Sequence, residues 1–100
     1  MIVIAGTITF DPAHRAMLEE AFEKMRAASL AEPGCHEYQC YVSRTDPGTV
    51  FMFEKWEDDA ALGAHFTQPH MAEFGAIMGK IGVKGVDIKK YSGAAEGPLL

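Results

Sequence analysis

The sequence predicts one α+β domain, in which helices pack on one face of a four-stranded antiparallel sheet. Strand-like apolar runs and helical patterns follow each other along the chain in the order β-α-β-β-α-β. A short turn between the second and third strands makes them an antiparallel hairpin. With 100 residues, the chain has a common size for a single domain and is too short for two cores.

The first third of the chain predicts a strand followed by an amphipathic helix. Residues 2–10 are rich in β-branched side chains, which favour strands. Asp11 and Pro12 then start a helix, because aspartate accepts hydrogen bonds from free amides and proline fits the first turn. From residue 13 to about residue 30, apolar side chains recur at helical spacing: Leu18, Ala21, Phe22, Met25 and Ala28. Pro33 and Gly34 end the helix.

The middle of the chain predicts a β-hairpin. Residues 35–44 and 49–56 form its strands, and Thr45-Asp-Pro-Gly48 forms its turn. Alternation along the first of these strands places four side chains on one face: His36, Tyr38, Cys40 and Val42. It places Cys35 on the opposite face from Cys40, so we expect two packed thiols rather than a disulfide.

The last part of the chain predicts two helical segments and a strand. One segment begins at Asp58 or Asp59 and continues through Phe66, and the next runs from Pro69 to about Ile81. Residues 86–91 then form the fourth strand. This order is that of the ferredoxin-like fold. We expect a domain of residues 1–92 followed by a C-terminal tail of residues 93–100.

Composition and charge exclude several classes of function. The net charge is −5 and the basic residues are scattered, so no basic stripe is available to bind nucleic acid. No apolar run approaches the ~18 residues of a membrane span. The first strand lacks a basic leader, so we expect a cytoplasmic protein. The spacing of the cysteines and histidines matches no metal motif, and no metal is expected.

The third strand is apolar on both faces, and this predicts a homodimer. Phe51 and Phe53 lie on the face opposite Met52, Glu54 and Trp56. Helices cover only one face of a ferredoxin-like sheet. Because a bare apolar face is unstable in water, we expect the sheet face of one chain to pack against the same face of a second copy.

Three stretches of the chain carry a resemblance to a known family. They are Glu32-Pro-Gly-Cys-His-Glu-Tyr38, Glu54-Lys-Trp56, and the series Ala60-Ala-Leu62, Ala64-His65, Pro69-His70 and Phe74. Together with the element order from about residue 2 to residue 91, they resemble the antibiotic biosynthesis monooxygenase superfamily. These are small dimeric α+β barrel proteins that include quinol monooxygenases.

The resemblance implies oxidation of a phenolic or quinol-type aromatic by molecular oxygen. Several active members use no metal, flavin or haem, so no cofactor is expected here. Other members degrade haem, isomerise small sugar-derived phosphates, or have no known reaction. Haem-degrading relatives use an asparagine on the first strand. Here that strand has Gly6 or a neighbour at this position and no asparagine, which disfavours haem degradation.

Trp56 and Glu54 are candidate substrate-binding residues on one face of the third strand. The indole of Trp56 is suited to stack on a flat aromatic and to donate its N–H to a substrate oxygen. Its alternative role is to cap the core between sheet and helix. A carboxylate at Glu54 is costly to bury without a partner, so it meets a base, a substrate or, as we favour, a structural Arg or Lys.

Three histidines are candidate catalytic residues, in the order His65, His36, His70. An imidazole titrates near neutral pH and is suited to remove a phenolic proton. The alternative for His65 is a buried ring hydrogen-bonded to the backbone, and for His70 a surface or capping residue. His36 is either a site group or a partly exposed strand end.

The remaining candidates line a hypothetical pocket. Tyr38 is placed to hydrogen-bond a substrate oxygen, or else belongs to the core with its hydroxyl at the rim. Met52 and Phe74 provide apolar walls, and methionine tolerates several flat ligands.

The sequence thus supports two main hypotheses about function. The first is a cofactor-independent oxygenase, in which Trp56 orients a small phenol or quinol and a histidine takes its proton before reaction with oxygen. The second is a non-catalytic dimeric module that binds a hydrophobic metabolite in the same pocket. Haem degradation or isomerisation, the activities of other relatives, is a further alternative.

Overall fold

The computed structural model describes residues 1–100 and shows the predicted βαββαβ arrangement. The strands are β1 (Ile2–Phe10), β2 (Cys35–Val42), β3 (Thr49–Trp56) and β4 (Val83–Ser92). The helices are α1 (Arg15–Leu30), α2 (Asp59–His65) and α3 (Pro69–Ile81), and a 3₁₀ turn at Pro12–His14 precedes α1. The ferredoxin-like α+β fold is therefore confirmed. None of the helices combines the length and the apolar character that crossing a lipid bilayer requires.

The helix boundaries follow the capping residues of the sequence. Asp11 accepts a hydrogen bond from the amide of Ala13 at 3.0 Å, and Asp58 accepts one from the amide of Ala61 at 2.8 Å. Pro69 occupies the first turn of α3, and Gly82 ends it in the left-handed conformation. Strand β4 begins directly after this glycine, three residues before the predicted start.

The four strands form one antiparallel sheet in the order β2-β3-β1-β4. One face of the sheet, here called the inner face, is covered by the helices. The stripe of α1 predicted from helical spacing is buried against it, with Leu18, Phe22 and Met25 at 5% exposure or less. Trp56 and Ile81 are fully buried in the same core.

A β-bulge at the start of β2 changes the predicted faces of that strand. Cys35 lies opposite Trp56 and Glu37 lies opposite Lys55, so His36 is the extra residue. The inserted residue moves Cys35, which precedes it in β2, to the other face of the sheet. Cys35 and Cys40 therefore both pack against the inner-face core, and the prediction that they point to opposite faces is wrong. Burial raises the pKa of the Cys35 thiol to about 11 and that of the Cys40 thiol to about 12, so both remain protonated.

The outer face of the sheet carries exposed aromatic side chains. Tyr41, Phe51 and Tyr91 are each between 41% and 52% exposed, and no helix covers them. After β4 the tail has no regular secondary structure. It is tied to the outer face where Lys55 donates to Glu96 at 2.7 Å.

Gly34 permits the turn that joins α1 to β2, and an alanine there is expected to destabilise the fold. Its φ is +83°, and a Cβ would lie 2.7 Å from the Cβ of Ala61 on α2. Gly34→Ala should lower the free energy of unfolding by about 1–3 kcal/mol through backbone strain and the clash. Chemical denaturation measures this loss.

The matched control is Gly63→Ala within α2. Nothing lies within 4 Å of a Cβ at this position, and alanine favours helix more than glycine does. Gly63→Ala should raise the free energy of unfolding by about 0.5–1 kcal/mol. The same sign of effect in both variants would contradict this account of the turn.

Candidate functional site

A cavity of about 320 Å³ lies between the inner face of the sheet and the helices α2 and α3. This volume is at the small end of the range of roughly 300–1,000 Å³ for ligand pockets. Eleven of its fifteen lining residues are hydrophobic, and they include Ile4, Met52, Phe74 and Ile88. The other four are Glu54, His65, Lys89 and Lys90, and the hydroxyl of Tyr38 adds one more polar group to the wall. The cavity is suited to a flat apolar ligand that carries one or two polar atoms.

Glu54 is a buried carboxylate that faces this cavity from β3. It is 8% exposed, and its Oε1 accepts a hydrogen bond from Trp56 Nε1 at 2.9 Å. No lysine or arginine pairs with it, so the structural ion pair favoured from the sequence is wrong. Burial raises the pKa of Glu54 to about 7, although the Trp56 hydrogen bond opposes the shift, and the nearby charge of Glu32 adds to it. This carboxyl is therefore able to bind and release a proton near neutral pH.

His65 is held at the end of α2 by a carboxylate rather than by the backbone. The residue is 2% exposed, and its ring contacts Trp56, with 4.6 Å between ring centroids. His65 Nδ1 lies 2.7 Å from Glu32 Oε2, so the ring hydrogen-bonds to a side chain instead of the expected main-chain group. No protein group bonds its Nε2, and the residue lines the cavity.

His70 lies behind His65 rather than in the cavity. Its Nε2 is 2.8 Å from the same Glu32 oxygen, and its side chain is 19% exposed. The nitrogens of His65 and His70 and the oxygen of Glu32 all lie within 4.8 Å of one another, a donor set that also suits a transition metal. Glu32 was not predicted as a site residue, because its partners lie more than thirty positions away and only the fold brings them near.

Tyr38 lies on the inner face of β2, directly opposite Glu54 on β3. It is 3% exposed and lines the cavity. Burial raises the pKa of its hydroxyl, and the charge of Glu54 raises it further, so the group stays protonated. Tyr38 is therefore available as a hydrogen-bond donor rather than as a base.

Trp56 does not line the cavity but contacts two residues that do, Glu54 and His65. The residue is fully buried, it does not line the cavity, and its N–H already donates to Glu54. In this geometry the indole of Trp56, a predicted substrate-binding group, is not positioned to stack on a ligand in the cavity, and its N–H is already engaged. The indole instead orients the Glu54 carboxylate and packs against the ring of His65.

His36 lies outside the site. The bulge turns its side chain to the surface, where it is 49% exposed and pairs with Glu57 through its Nε2. His36, a predicted catalytic residue, therefore does not line the cavity with the other candidates. The partly exposed strand end, which was the alternative from the sequence, describes it correctly. Of the predicted site residues, the structure brings together Tyr38, Met52, Glu54, His65 and Phe74 around one cavity.

Gly6 lies on β1 between Met52 on β3 and Ile88 on β4. A Cβ at Gly6 would lie 2.0 Å from the backbone oxygen of Asp87, so no side chain fits there without a shift of β4. An asparagine of the kind expected in haem-degrading relatives therefore has no room at this position.

The arrangement is suited to proton transfer in an apolar environment. A carboxyl with a pKa of about 7 and an imidazole border the same space, and both are side chains of the kind that serve as general bases. A tyrosine hydroxyl is available to donate to a ligand oxygen. The mostly apolar lining lowers the local polarity, which strengthens these interactions.

Comparisons with known proteins agree with this fold. The family model described as antibiotic biosynthesis monooxygenase matches residues 1–76. An uncharacterised Synechocystis protein is 32% identical over 90 residues, which cover 90% of this chain and 61% of that protein, less than two thirds of its length. A probable quinol monooxygenase of Escherichia coli, YgiN, is 30% identical over 92 residues, covering 81% of this chain and 88% of that protein.

A solved structure extends the agreement to the whole chain. A crystal structure of an antibiotic biosynthesis monooxygenase homologue from Deinococcus radiodurans superposes with a TM-score of 0.91. It covers 100% of this chain and 99% of that one at 21% identity, a level that supports the fold alone. The family model spans most of the chain, and the relatives named for an activity are monooxygenases. The chain therefore belongs to the antibiotic biosynthesis monooxygenase family.

Proposed function

We propose that this protein is a monooxygenase that oxidises a small phenol or hydroquinone with molecular oxygen and without a bound cofactor. One observation carries the proposal: a buried carboxyl with a pKa of about 7, unpaired with any base, faces an apolar cavity beside an imidazole. Similarity to a probable quinol monooxygenase supports the same substrate class.

The substrate ring lies between Met52 and Phe74, with its hydroxyl directed toward Glu54 and His65. One of these groups removes the phenolic proton, which leaves an electron-rich phenolate. Tyr38 donates a hydrogen bond to a ligand oxygen. The apolar walls favour this step because they exclude water, so the anion transfers an electron to oxygen rather than being stabilised by solvent.

The reaction needs no external reductant because the substrate supplies all the electrons. For 1-naphthol, C₁₀H₈O and O₂ give 1,4-naphthoquinone, C₁₀H₆O₂, and H₂O. One oxygen atom forms a bond to the ring carbon opposite the hydroxyl. The other leaves as water with two hydrogens, one from that carbon and one from the hydroxyl.

Turnover of 1-naphthol under ¹⁸O₂ tests this proposal. We expect one ¹⁸O atom in the product, which is reduced at once to prevent exchange with water, and one O₂ consumed per product formed. The control substrate 1-methoxynaphthalene has the same rings but no acidic proton, and it should bind without reacting. Binding of both compounds with no oxygen uptake above heat-denatured protein would overturn the oxygenase proposal and support a non-catalytic binding module.

We further propose that the protein is a homodimer through the outer face of the sheet. Tyr41 and Phe51 lie opposite each other there, and Phe53 and Val3 extend the apolar surface along the neighbouring rows. Exposed aromatic patches of this kind are typical of interfaces between protein chains.

Phe51→Lys is expected to convert a dimer into monomers, because it buries a charge without a partner in the interface. Light scattering after size exclusion measures the mass. Met17→Lys is the matched control, since Met17 on α1 is 43% exposed and Phe51 is 41% exposed. A wild-type mass equal to that of one chain, or dissociation by Met17→Lys alone, would contradict this interface.

A further inference from the structure

We propose that Glu32 is a positioning residue for His65. It holds the neutral His65 ring with its proton on Nδ1, so that Nε2 presents a lone pair to the cavity. His70 keeps the Glu32 carboxylate in place. The consequence for turnover rests on the proposed function, whereas the state of the ring does not.

The direction of the hydrogen bonds follows from the chemistry of the carboxylate. Glu32 Oε2 lies 2.7 Å from His65 Nδ1 and 2.8 Å from His70 Nε2. An ionised carboxylate has no proton to donate, so both ring nitrogens are the donors. His65 therefore carries its proton on Nδ1, and Nε2 is the nitrogen left to accept one.

Burial of the Glu32 and His65 side chains holds both of them in this hydrogen-bonded arrangement. The side chains of Glu32 and His65 are 8% and 3% exposed, so water does not replace either partner readily. A buried carboxylate is costly unless donors surround it, and here two imidazoles donate to the same oxygen. Removing one donor leaves the carboxylate less well satisfied and freer to rotate.

The fold brings the three residues together from separate elements. Glu32 lies in the turn between α1 and β2, His65 ends α2, and His70 lies in the first turn of α3. The carboxylate thus links the turn to both helices that border the cavity. His65 lines the cavity, whereas His70 does not and instead lines a separate surface pocket.

The ring state matters for catalysis because only an unprotonated nitrogen accepts a proton. A neutral His65 with its proton on Nε2 would present a donor to the phenol instead of a base. A carboxylate that fixes the imidazole tautomer is a known requirement where histidine acts as a general base. Glu32 acts on the reaction through His65 and does not itself contact the cavity.

Long-range ¹H–¹⁵N correlation spectra of the full chain test the ring state directly. At a pH where the imidazoles are neutral, we expect the Nδ1–H form for His65 in the wild type. In Glu32→Ala, His65 should shift toward the Nε2–H form that predominates in free imidazole side chains. His70→Gln should give a mixture of the two. A wild-type His65 with its proton on Nε2 overturns the proposal without any variant.

Glu57→Ala is the matched control, because it removes the carboxylate of the exposed pair with His36. It should leave the His65 signals and turnover unchanged. Where 1-naphthol is oxidised, Glu32→Ala should lower the rate about 100-fold, the loss typical of a misplaced general base. An unchanged rate, with His65 shifted to Nε2–H, would show that the ring is not the base.

Failure of the two proposals is distinguishable. If no variant or wild type incorporates ¹⁸O, the oxygenase proposal fails while the spectra still report on Glu32. Addition of Zn²⁺ gives a further outcome. Stoichiometric binding that is lost in both Glu32→Ala and His70→Gln would assign these residues as a metal site and overturn the positioning role.

Discussion

Glu54→Gln is expected to stabilise the protein above pH 7. Glutamine has the same shape and still accepts the hydrogen bond from Trp56, but it carries no charge in the apolar cavity. The folded state raises the Glu54 pKa from 4.5 to about 7, so it holds this proton more tightly than the unfolded chain does. The resulting stabilisation is fully present below pH 4.5 and is lost as the pH rises through 7.

The size of this effect makes it measurable by urea denaturation at several pH values. Between pH 4.5 and pH 8, Glu54 should lower the free energy of unfolding of the wild type by about 3 kcal/mol at most. Glu54→Gln should lack this fall. The control Glu23→Gln changes an exposed residue of α1 and should retain the wild-type slope. An equal slope in Glu54→Gln would contradict the pKa assigned to this carboxyl.

The same substitution should cost about 100-fold or more in oxygenase rate, since it removes a general base from the cavity. The wild-type rate should rise with pH through about 7 as Glu54 ionises, and Glu54→Gln should lose this step. A more stable and less active variant indicates that the buried charge is retained for function. Unchanged turnover would instead assign the base to His65 alone.

Trp56→Ala is expected to lower the free energy of unfolding by about 3–5 kcal/mol, the usual cost of removing a large buried aromatic side chain. The indole extends from the end of β3, is fully buried and packs against the ring of His65. Denaturation with urea at pH 6 measures the loss. Stability close to that of the wild type would contradict the position of Trp56 in the core.

Trp56→Phe separates the packing role of the indole from its hydrogen bond. Phenylalanine retains much of the apolar contact but cannot donate to Glu54. Because that hydrogen bond lowers the Glu54 pKa, its loss should move the rise of turnover to higher pH. Tyr41→Phe, on the exposed outer face, is the control and should leave the profile in place. An unmoved profile in Trp56→Phe would contradict the role assigned to the indole N–H.

Local signals were sufficient to predict the fold. The free amides at a helix start need a hydrogen-bond acceptor, which is supplied by Asp11 and Asp58. A proline has no amide hydrogen and fits the first turn, as Pro12 and Pro69 do. Both effects depend only on nearby residues. The alternation along β3 also placed Met52 and Glu54 on the buried face correctly. The alternation of a strand and the apolar spacing of a helix repeat over several residues, so one irregular position does not change the predicted secondary structure.

The errors at the site have two physical causes. A single inserted residue in a strand moves the side chains before it to the opposite face of the sheet. Nothing in the sequence around His36 marks the bulge that the structure shows there. The partners of polar groups depend on distant contacts. Glu54 meets Trp56 rather than a lysine, and Glu32 meets two histidines from later helices. The charge and sequence spacing of residues do not determine which of several possible hydrogen-bond partners the fold brings close to a buried carboxylate.

The most direct test of the central claim is a crystal structure of the protein with 1-naphthol bound. The rings should lie against Met52 and Phe74, and the hydroxyl should lie within hydrogen-bond distance, about 2.6–3.2 Å, of the Glu54 carboxylate or His65 Nε2. A ligand bound on another surface, or a hydroxyl directed out of the cavity toward Lys90 at its rim, would contradict it.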